Sequence, residues 1–225
     1  MIKINKIAVL IPCYNEEKTI QKVITEFKEV LSKNAVIYVY DNNSTDKTAA
    51  KARELGVVVR EASVQGKGAT VRKMLAEIDA DVYLLVDGDD TYSPEYANTL
   101  IECVVSGKCD MAIADRLSVN YKNVNNRVLH NIGNRLVCRL INRKYKSNIA
   151  DVMTGYRAFS KDFVKEFKIL FNGFELETEM TIFALKNNKN IISIPIIYRT
   201  RPKGSVSKLN TIVDGIKILQ AIKML

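Results

Sequence analysis

Val82-Tyr83-Leu84-Leu85-Val86-Asp87-Gly88-Asp89-Asp90-Thr91 is the stretch from which the fold can be read. Five apolar, mostly β-favouring residues run straight into three carboxylates. An unbroken apolar run of this kind predicts a strand buried on both faces, as in the middle of a parallel sheet. The carboxylates then stand at its carboxyl end, the edge where open α/β sheets bind ligands. Gly88 removes side-chain bulk between Asp87 and Asp89. Together the two acids can offer several oxygens to a hard divalent cation, which in turn can hold a diphosphate. The same residues also make an acidic turn ahead of a helix start at Ser93-Pro94, and the short motif alone leaves both readings open.

Working outward, the first half alternates strand and helix. Residues 7–11 form an apolar strand stopped by Pro12, and Asn15-Glu16-Glu17 opens a helix with Ile20, Val23, Ile24, Phe27, Val30 and Leu31 at helical spacing. Residues 36–40 form a second strand ending in Asp41. Ser44 and Thr45 cap the next helix, with Asp46 in its first turn and Gly56 beyond its end. A third strand covers 57–59, and Gln65-Gly66-Lys67-Gly68 turns into a helix reaching Ile78. After the central strand come a helix from Pro94 to Val105 and a strand over 111–114. This alternation predicts βαβ units, hence an α/β fold with a mainly parallel central sheet and flanking helices.

The second half has another texture. Residues 125–144 read as a helix carrying Arg127, Arg135, Arg139 and Arg143, the last three spaced by four on one face. A turn-rich segment runs from Asp151 through Gly155 to Arg157, followed by a helix start bearing Glu175, Glu177 and Glu179. Residues 191–198 form a strand whose Pro195 places it at an edge or a bulge. A basic loop, Arg199 to Lys208, precedes an apolar helix over 212–225. With no repeat or linker in view, residues 1–210 are expected to form a single domain and 211–225 an amphipathic C-terminal helix. That helix packs back on the domain, lies on a membrane surface or leads towards an anchor.

Composition narrows the classes. At 225 residues with 47% hydrophobic and 26% charged content, the chain is long enough for one sizeable core. The start at Met1 does not resemble a secretory leader, and no apolar run approaches a membrane span. Cys13, Cys103, Cys109 and Cys138 lack C-x-x-C spacing, and there is one histidine, His130. A zinc site or disulfide framework is therefore disfavoured and a reducing cytoplasm expected. The net charge of +9 suits phosphorylated substrates, anionic lipid or nucleic acid. No Cys/His finger or RNP-like aromatic motif supports the last.

Three strands end in polar, acid-containing segments: Pro12 to Glu16, Asp41 to Asp46, and Asp87-Gly88-Asp89. A parallel sheet brings such ends to one edge, where a nucleotide fits. Tyr14 can lie against a base, Asp41 can accept hydrogen bonds from base or ribose, and a metal on Asp87 and Asp89 can hold the diphosphate. The first strand is not followed by G-x-G-x-x-G, and residues 65–68 lack P-loop spacing, which disfavours a dinucleotide oxidoreductase and a P-loop NTPase.

The set Pro12, Tyr14-Asn15-Glu16, Asp41 with Ser44-Thr45-Asp46, Gly66-Lys67-Gly68 and Asp87-Gly88-Asp89 resembles the family 2 glycosyltransferases of GT-A fold. Asp115-Arg116, Asp151 with Thr154-Gly155-Tyr156-Arg157, Phe174-Glu175 with Glu177, and Arg201, Gly204, Ser207 and Lys208 sharpen the likeness towards dolichyl- or polyprenyl-phosphate sugar synthases. The resemblance spans nearly all of residues 6–210. It implies inverting transfer of a sugar from a nucleotide-diphosphate donor to the phosphate of a lipid carrier at a membrane's inner, cytoplasmic face. It further implies that Pro12, Tyr14, Glu16, Asp41 and Asn43 line the nucleoside pocket, with Lys67 and Gly88 nearby. Asp87 and Asp89 would bind Mg²⁺ or Mn²⁺, Arg116 and Arg127 would face the acceptor phosphate, and the loop carrying Lys203 and Lys208 would close over the donor phosphates. Asn42 stands where many members have aspartate. Thr91 stands where mannosyl enzymes often have glutamine, which favours a UDP-sugar over GDP-mannose.

The chemistry of a phosphate acceptor fits the composition. A hydroxyl acceptor must lose its proton to a base, whereas a phosphate monoester, with a second pKa of about 6, is already anionic near neutrality. It needs positioning and charge balance, which arginine supplies. Asp151 is the candidate base or orienting group, and the alternative function is transfer to a sugar hydroxyl of a glycan or lipid-linked intermediate. A nucleotidyltransferase would carry a Gly-rich basic loop in place of Pro12 to Glu16.

Overall fold

The computed structural model describes residues 4–118 and 128–225. The expected α/β architecture forms: a seven-stranded sheet of order β3-β2-β1-β4-β6-β5-β7, mainly parallel and covered by helices on both faces. The strands are β1 Ile7–Cys13, β2 Ala35–Asp41, β3 Val58–Glu61, β4 Val82–Leu85, β5 Met111–Asp115, β6 Arg157–Ser160 and β7 Ile191–Pro195. The described helices are α1 Ile20–Val30, α2 Thr48–Glu54, α3 Lys67–Glu77, α4 Ala97–Val105, α5 Val128–Tyr145, α6 Lys161–Glu166, α7 Leu176–Lys186 and α8 Val213–Met224.

Alternation along each strand divides the core. Val9 and Ile11 of β1, Val39 of β2 and Leu84 of β4 face α1, α2 and α4, while Ala8, Leu10, Tyr40 and Leu85 face α3 and α5 to α8. All four residues of β4 are buried, as its apolar run requires. Pro12 does not stop β1, which continues to Cys13 in register with Asp41. The Cys13 carbonyl accepts from Asn42 N on the β2 side, so Pro12 faces the β4 side, beyond the last β1–β4 pair at Leu10–Leu85, where no ladder donor is called for.

Two helix starts fall later than the sequence predicts. Asn15 takes a positive φ of 52° and α1 begins only at Ile20. The amides of Asn15, Glu16 and Glu17 are taken instead by Ser44 Oγ (2.9 Å), Thr48 Oγ1 (2.8 Å) and Asp46 Oδ2 (3.2 Å). Ser44 and Thr45 therefore do not cap α2. The N-cap position falls to Lys47, and Asp46 Oδ1, one residue earlier, accepts from Thr48 N at 2.9 Å.

Strand β6 and helix α6 go beyond what the sequence pattern predicts. β6 enters between β4 and β5 and runs antiparallel to both, with Arg157 opposite Leu85 and Ile113. Because its direction is reversed, its beginning lies where β4 and β5 end. Residues 151–156, which lead into it, are thereby delivered to the edge that carries Asp87, Asp89 and Arg116. β7 is an edge strand paired only with β5, as expected, but it ends at Pro195 and does not run on to residue 198.

Candidate active site

A cleft of about 520 Å³ opens at this edge. Of the residues named from sequence, Pro12, Tyr14, Glu16, Lys67, Asp87, Gly88, Asp89, Arg116 and Lys208 line it. Asp41, Asn43, Lys203 and Asp151 are not on its wall, and Arg127 lies outside the described residues.

The three carboxylates after β4 part company. Asp87 contacts the Lys67 ammonium at 2.5 Å, and Lys67 also meets Glu177 at 2.6 Å. Burial alone would lower the Lys67 pKa, but Asp87 and Glu177 outweigh it and hold the group charged. Asp89 accepts from Thr91 Oγ1 at 2.5 Å and pairs through its other oxygen with Arg201. Asp90, at a φ of 58°, turns the other way to Lys22 (2.5 Å) and Arg199 (3.1 Å) and roots the basic loop. Close packing fixes the turn: a Cβ on Gly88 would lie 2.8 Å from Cys13 Sγ, so the residue between the two acids must be small.

The loop after β7 folds over the cleft. Lys208 Nζ reaches Glu16 Oε1 (2.7 Å) and the Asn15 carbonyl (2.8 Å), and Lys18 Nζ donates to the Gly204 carbonyl (3.1 Å). Burial raises the Glu16 pKa, and Lys208 offsets only part of the effect. Tyr14 is 37% exposed, an open aromatic face at the cleft.

Asp41 is buried at the end of β2. Its Oδ2 accepts from Ser44 N at 3.1 Å, and its buried Oδ1 has no partner among the described residues. Asn43, at a φ of 60°, donates to the Ser63 carbonyl (2.9 Å) and braces the loop. Asn42 has a physical reason to be an amide. Its nitrogen donates to the Ala62 and Val64 carbonyls at 2.7 Å each, which a carboxylate cannot do, while its oxygen accepts from Gly66 N at 2.7 Å. Gly66, at a φ of 126°, packs so closely on Asn172 that a Cβ would lie 2.2 Å from its carbonyl oxygen. That contact ties the Lys67 turn to the segment carrying Glu175.

Of the two roles offered for Asp151, base or orienting group, the geometry favours the second. It is 0% exposed and receives Arg116 Nε (2.7 Å), Arg116 Nη2 (3.0 Å) and Asn134 Nδ2 (2.8 Å). Burial would raise its pKa, but the Arg116 guanidinium outweighs this and the carboxyl stays below its ordinary range. So placed, Asp151 has no surface on the cleft. It orients Arg116, whose guanidinium also lies over the Tyr198 ring at 5.2 Å. Behind this pair, Arg157 is fully buried on the Thr154 and Val152 carbonyls, its pKa lowered to about 10 by burial.

Sequence reasoning leaves several lining residues without a role: Asn172, Tyr198, Arg201, Asp214 and Lys217. Glu175 is buried, and its Oε2 has no partner among the described residues. The Phe174-Glu175-Glu177 and Arg201 motifs are visible in the chain; that they meet Lys67 and Asp89 is not.

Comparison with known proteins agrees with this geometry. Residues 8–167 match the family described as glycosyl transferase family 2. The glycosyltransferase AglJ of Haloferax volcanii is 32% identical over 93% of this chain and 68% of its own length. A dolichyl-phosphate hexose transferase from the same organism is 28% identical over 96% of this chain and 92% of its own. The fold is shared with glucosyl-3-phosphoglycerate synthase of Mycobacterium tuberculosis, crystallised with Mn²⁺, UDP and phosphoglyceric acid, at a TM-score of 0.78 and 19% identity over 98% of this chain and 78% of that one. A chain that matches the family over residues 8–167, and carries its acidic, cation-studded cleft at the carboxyl edge of the sheet, is a member of glycosyl transferase family 2.

Proposed function

We propose that the enzyme transfers a sugar, with inversion, from a nucleotide-diphosphate donor, a UDP-sugar before GDP-mannose, to the phosphate of a polyprenyl or dolichyl carrier. The observation that carries the acceptor class is the saturated Asp151. The cleft presents a guanidinium held from behind by a carboxylate that cannot act as a base. Arg116 Nε and Nη2 are committed to Asp151, and Nη1 bonds to no described residue, so it is the nitrogen available to an anionic acceptor. A dianionic phosphate oxygen attacks the anomeric carbon, the bond from that carbon to the diphosphate breaks, and the nucleoside diphosphate leaves with the electron pair. No proton has to be removed.

The donor fits the remaining groups. Tyr14 stacks on the base, and Pro12, Glu16 and the unpaired Asp41 oxygen line or back the nucleoside side. Among the described residues no cluster of three metal-ligating side chains exists, and Asp87 and Asp89 are the protein's share of a divalent site. Hard carboxylate oxygens suit Mg²⁺ or Mn²⁺, with diphosphate and water completing the shell. That ion would neutralise charge on the departing diphosphate. Arg201 and Lys208 now sit on acids of the cleft and become partners of the diphosphate when it binds. The 28%-identical relative is named for transfer to dolichyl phosphate, which supports the lipid acceptor. The structural neighbour holds UDP and Mn²⁺, which supports that donor class and that kind of ion.

We place the enzyme peripherally on an anionic, cytoplasm-facing membrane surface. Among the described residues no helix is long and apolar enough to cross a membrane, while Arg135, Arg139 and Arg143 are exposed along α5. A second reading, transfer to a sugar hydroxyl, is favoured by one observation, the Glu175 Oε2 in the cleft wall, which has no partner among the described residues. The test is a transfer assay with Mg²⁺ or Mn²⁺, polyprenyl phosphate and UDP-glucose, UDP-N-acetylglucosamine or GDP-mannose. The expected result is a metal-dependent glycolipid from one donor, retained in Glu175→Gln. Donor binding without any glycolipid, and Glu175-dependent transfer to hydroxyl acceptors, would overturn the proposal.

A further inference from the structure

Helices α5 and α8 leave between them a groove of about 230 Å³ that no charged residue lines among the described residues. Two glycines make it: Gly133 on α5 and Gly215 on α8 both line the groove, and among the described residues a Cβ on either would meet no atom within 4 Å outside its own helix. Glycine is a poor choice for a helix interior, so local helix stability does not explain the pair. Leu136, Met153, Ile216 and Leu219 supply hydrocarbon walls. Ile212 is 72% exposed and Ile216 53%, so the apolar surface continues outward from the groove.

Continuity and charge together indicate the occupant. Leu209 lines both the groove and the catalytic cleft, and α8 turns Asp214 and Lys217 to the cleft but Gly215, Ile216 and Leu219 to the groove. The path therefore runs from a cationic end at Arg116 to an uncharged trough. A ligand with an anionic head and an apolar tail matches both ends.

We propose that the α5–α8 groove seats the first isoprenoid-sized stretch of the acceptor's chain, which passes over Leu209 from a phosphate held at Arg116. This rests on the lipid-phosphate reading above. An apolar cavity of about 150 Å³ takes one benzene, so this groove holds only the head-proximal part of the chain, and the rest stays in the bilayer. Selection then acts on the first units of the chain and not on its total length.

Gly215→Leu and Gly133→Leu fill the groove from within. Leucine is the better helix former and meets open space at both positions, so neither variant should melt below the wild type. KM for polyprenyl phosphate is expected to rise at least tenfold in each, with KM for the donor within twofold of wild type. A naphthyl-labelled farnesyl phosphate is expected to shift its emission to the blue on wild type and not on Gly215→Leu. Unchanged acceptor KM and probe binding in both variants overturn the groove while leaving the acceptor class standing. Probe binding that is lost in the variants, with no glycolipid from wild type, upholds the groove and overturns the transfer reading. A wild-type dimer in sedimentation that Gly215→Leu dissociates assigns the groove to a second copy and overturns the proposal.

Discussion

At the rim of the cleft and behind it, the same chemistry of acid against cation serves opposite ends. On the rim, Glu16, Asp87 and Asp89 meet Lys208, Lys67 and Arg201, which come from distant parts of the chain. The Arg201 and Lys208 side chains keep 20% and 23% of their surface in solvent, so water and ligands can compete for them. Partly exposed pairs of this kind are screened more than sealed ones. Behind the rim, Asp151 and Arg116 pair at 2.7 Å with no surface left on the acid. Removing one member of a buried pair strands a charge and costs about 3–5 kcal/mol. Exchangeable pairs suit groups that must change partners when a donor binds. A saturated pair suits a group that must hold still.

The contrast can be broken, beginning where the effect is largest. Asp151→Asn should lower unfolding free energy by about 3–5 kcal/mol in urea titration, because Arg116 loses its counter-charge while buried. A loss under about 1 kcal/mol would erase the distinction between rim and interior. The pH dependence sharpens it. The Asp151 carboxyl is held below the ordinary carboxylate value of 3.8, so its stabilisation is complete above that value and disappears as pH falls through the lower folded pKa. The stability gap between wild type and Asp151→Asn should be flat near neutrality and narrow only below about pH 4.

On the rim, Asp89→Ala should cut transfer by at least about a hundredfold, equivalent to about 2.7 kcal/mol, with a small change in melting temperature. Chelation with EDTA should reproduce that loss, and added Mn²⁺ should reverse it in wild type but not in the variant. Unfolding of Asp89→Ala in place of inactivation would move Asp89 to the structural side of the comparison. Arg201→Ala and Lys208→Ala should each raise donor KM by about tenfold, with a stability loss smaller than that of Asp151→Asn. Donor titration against urea melts separates the two quantities. The smallest effect belongs to Lys203, which is exposed and off the cleft wall: Lys203→Ala should leave donor KM within about twofold.

Legibility in the sequence follows how local the cause is. The apolar runs of β1, β2 and β4 and the acids after them can be read directly, since burial on both faces demands an unbroken apolar strand. Helix starts expected at Asn15 and Ser44 fall elsewhere because their polar groups bond each other across the two loops, and not within their own helices. β6 escapes because its four residues, beginning with a buried arginine, carry no strand pattern. Asp151 reads as either a base or an orienting group because nothing near it in the chain announces Arg116, 35 residues away.

The sequence by itself determined the α/β class, the parallel half of the sheet and the presence of an acidic, nucleotide-sized edge at its carboxyl end. These follow from periodicity and strand-end chemistry, which act over a few residues. Only the tertiary structure decided that β6 runs backwards and so carries residues 151–156 to that edge. Only it decided which acids are shared with a cation and which are sealed, and that two glycines line one groove between α5 and α8. Those outcomes depend on direction, depth and contact between segments far apart in the chain, and packing supplies all three.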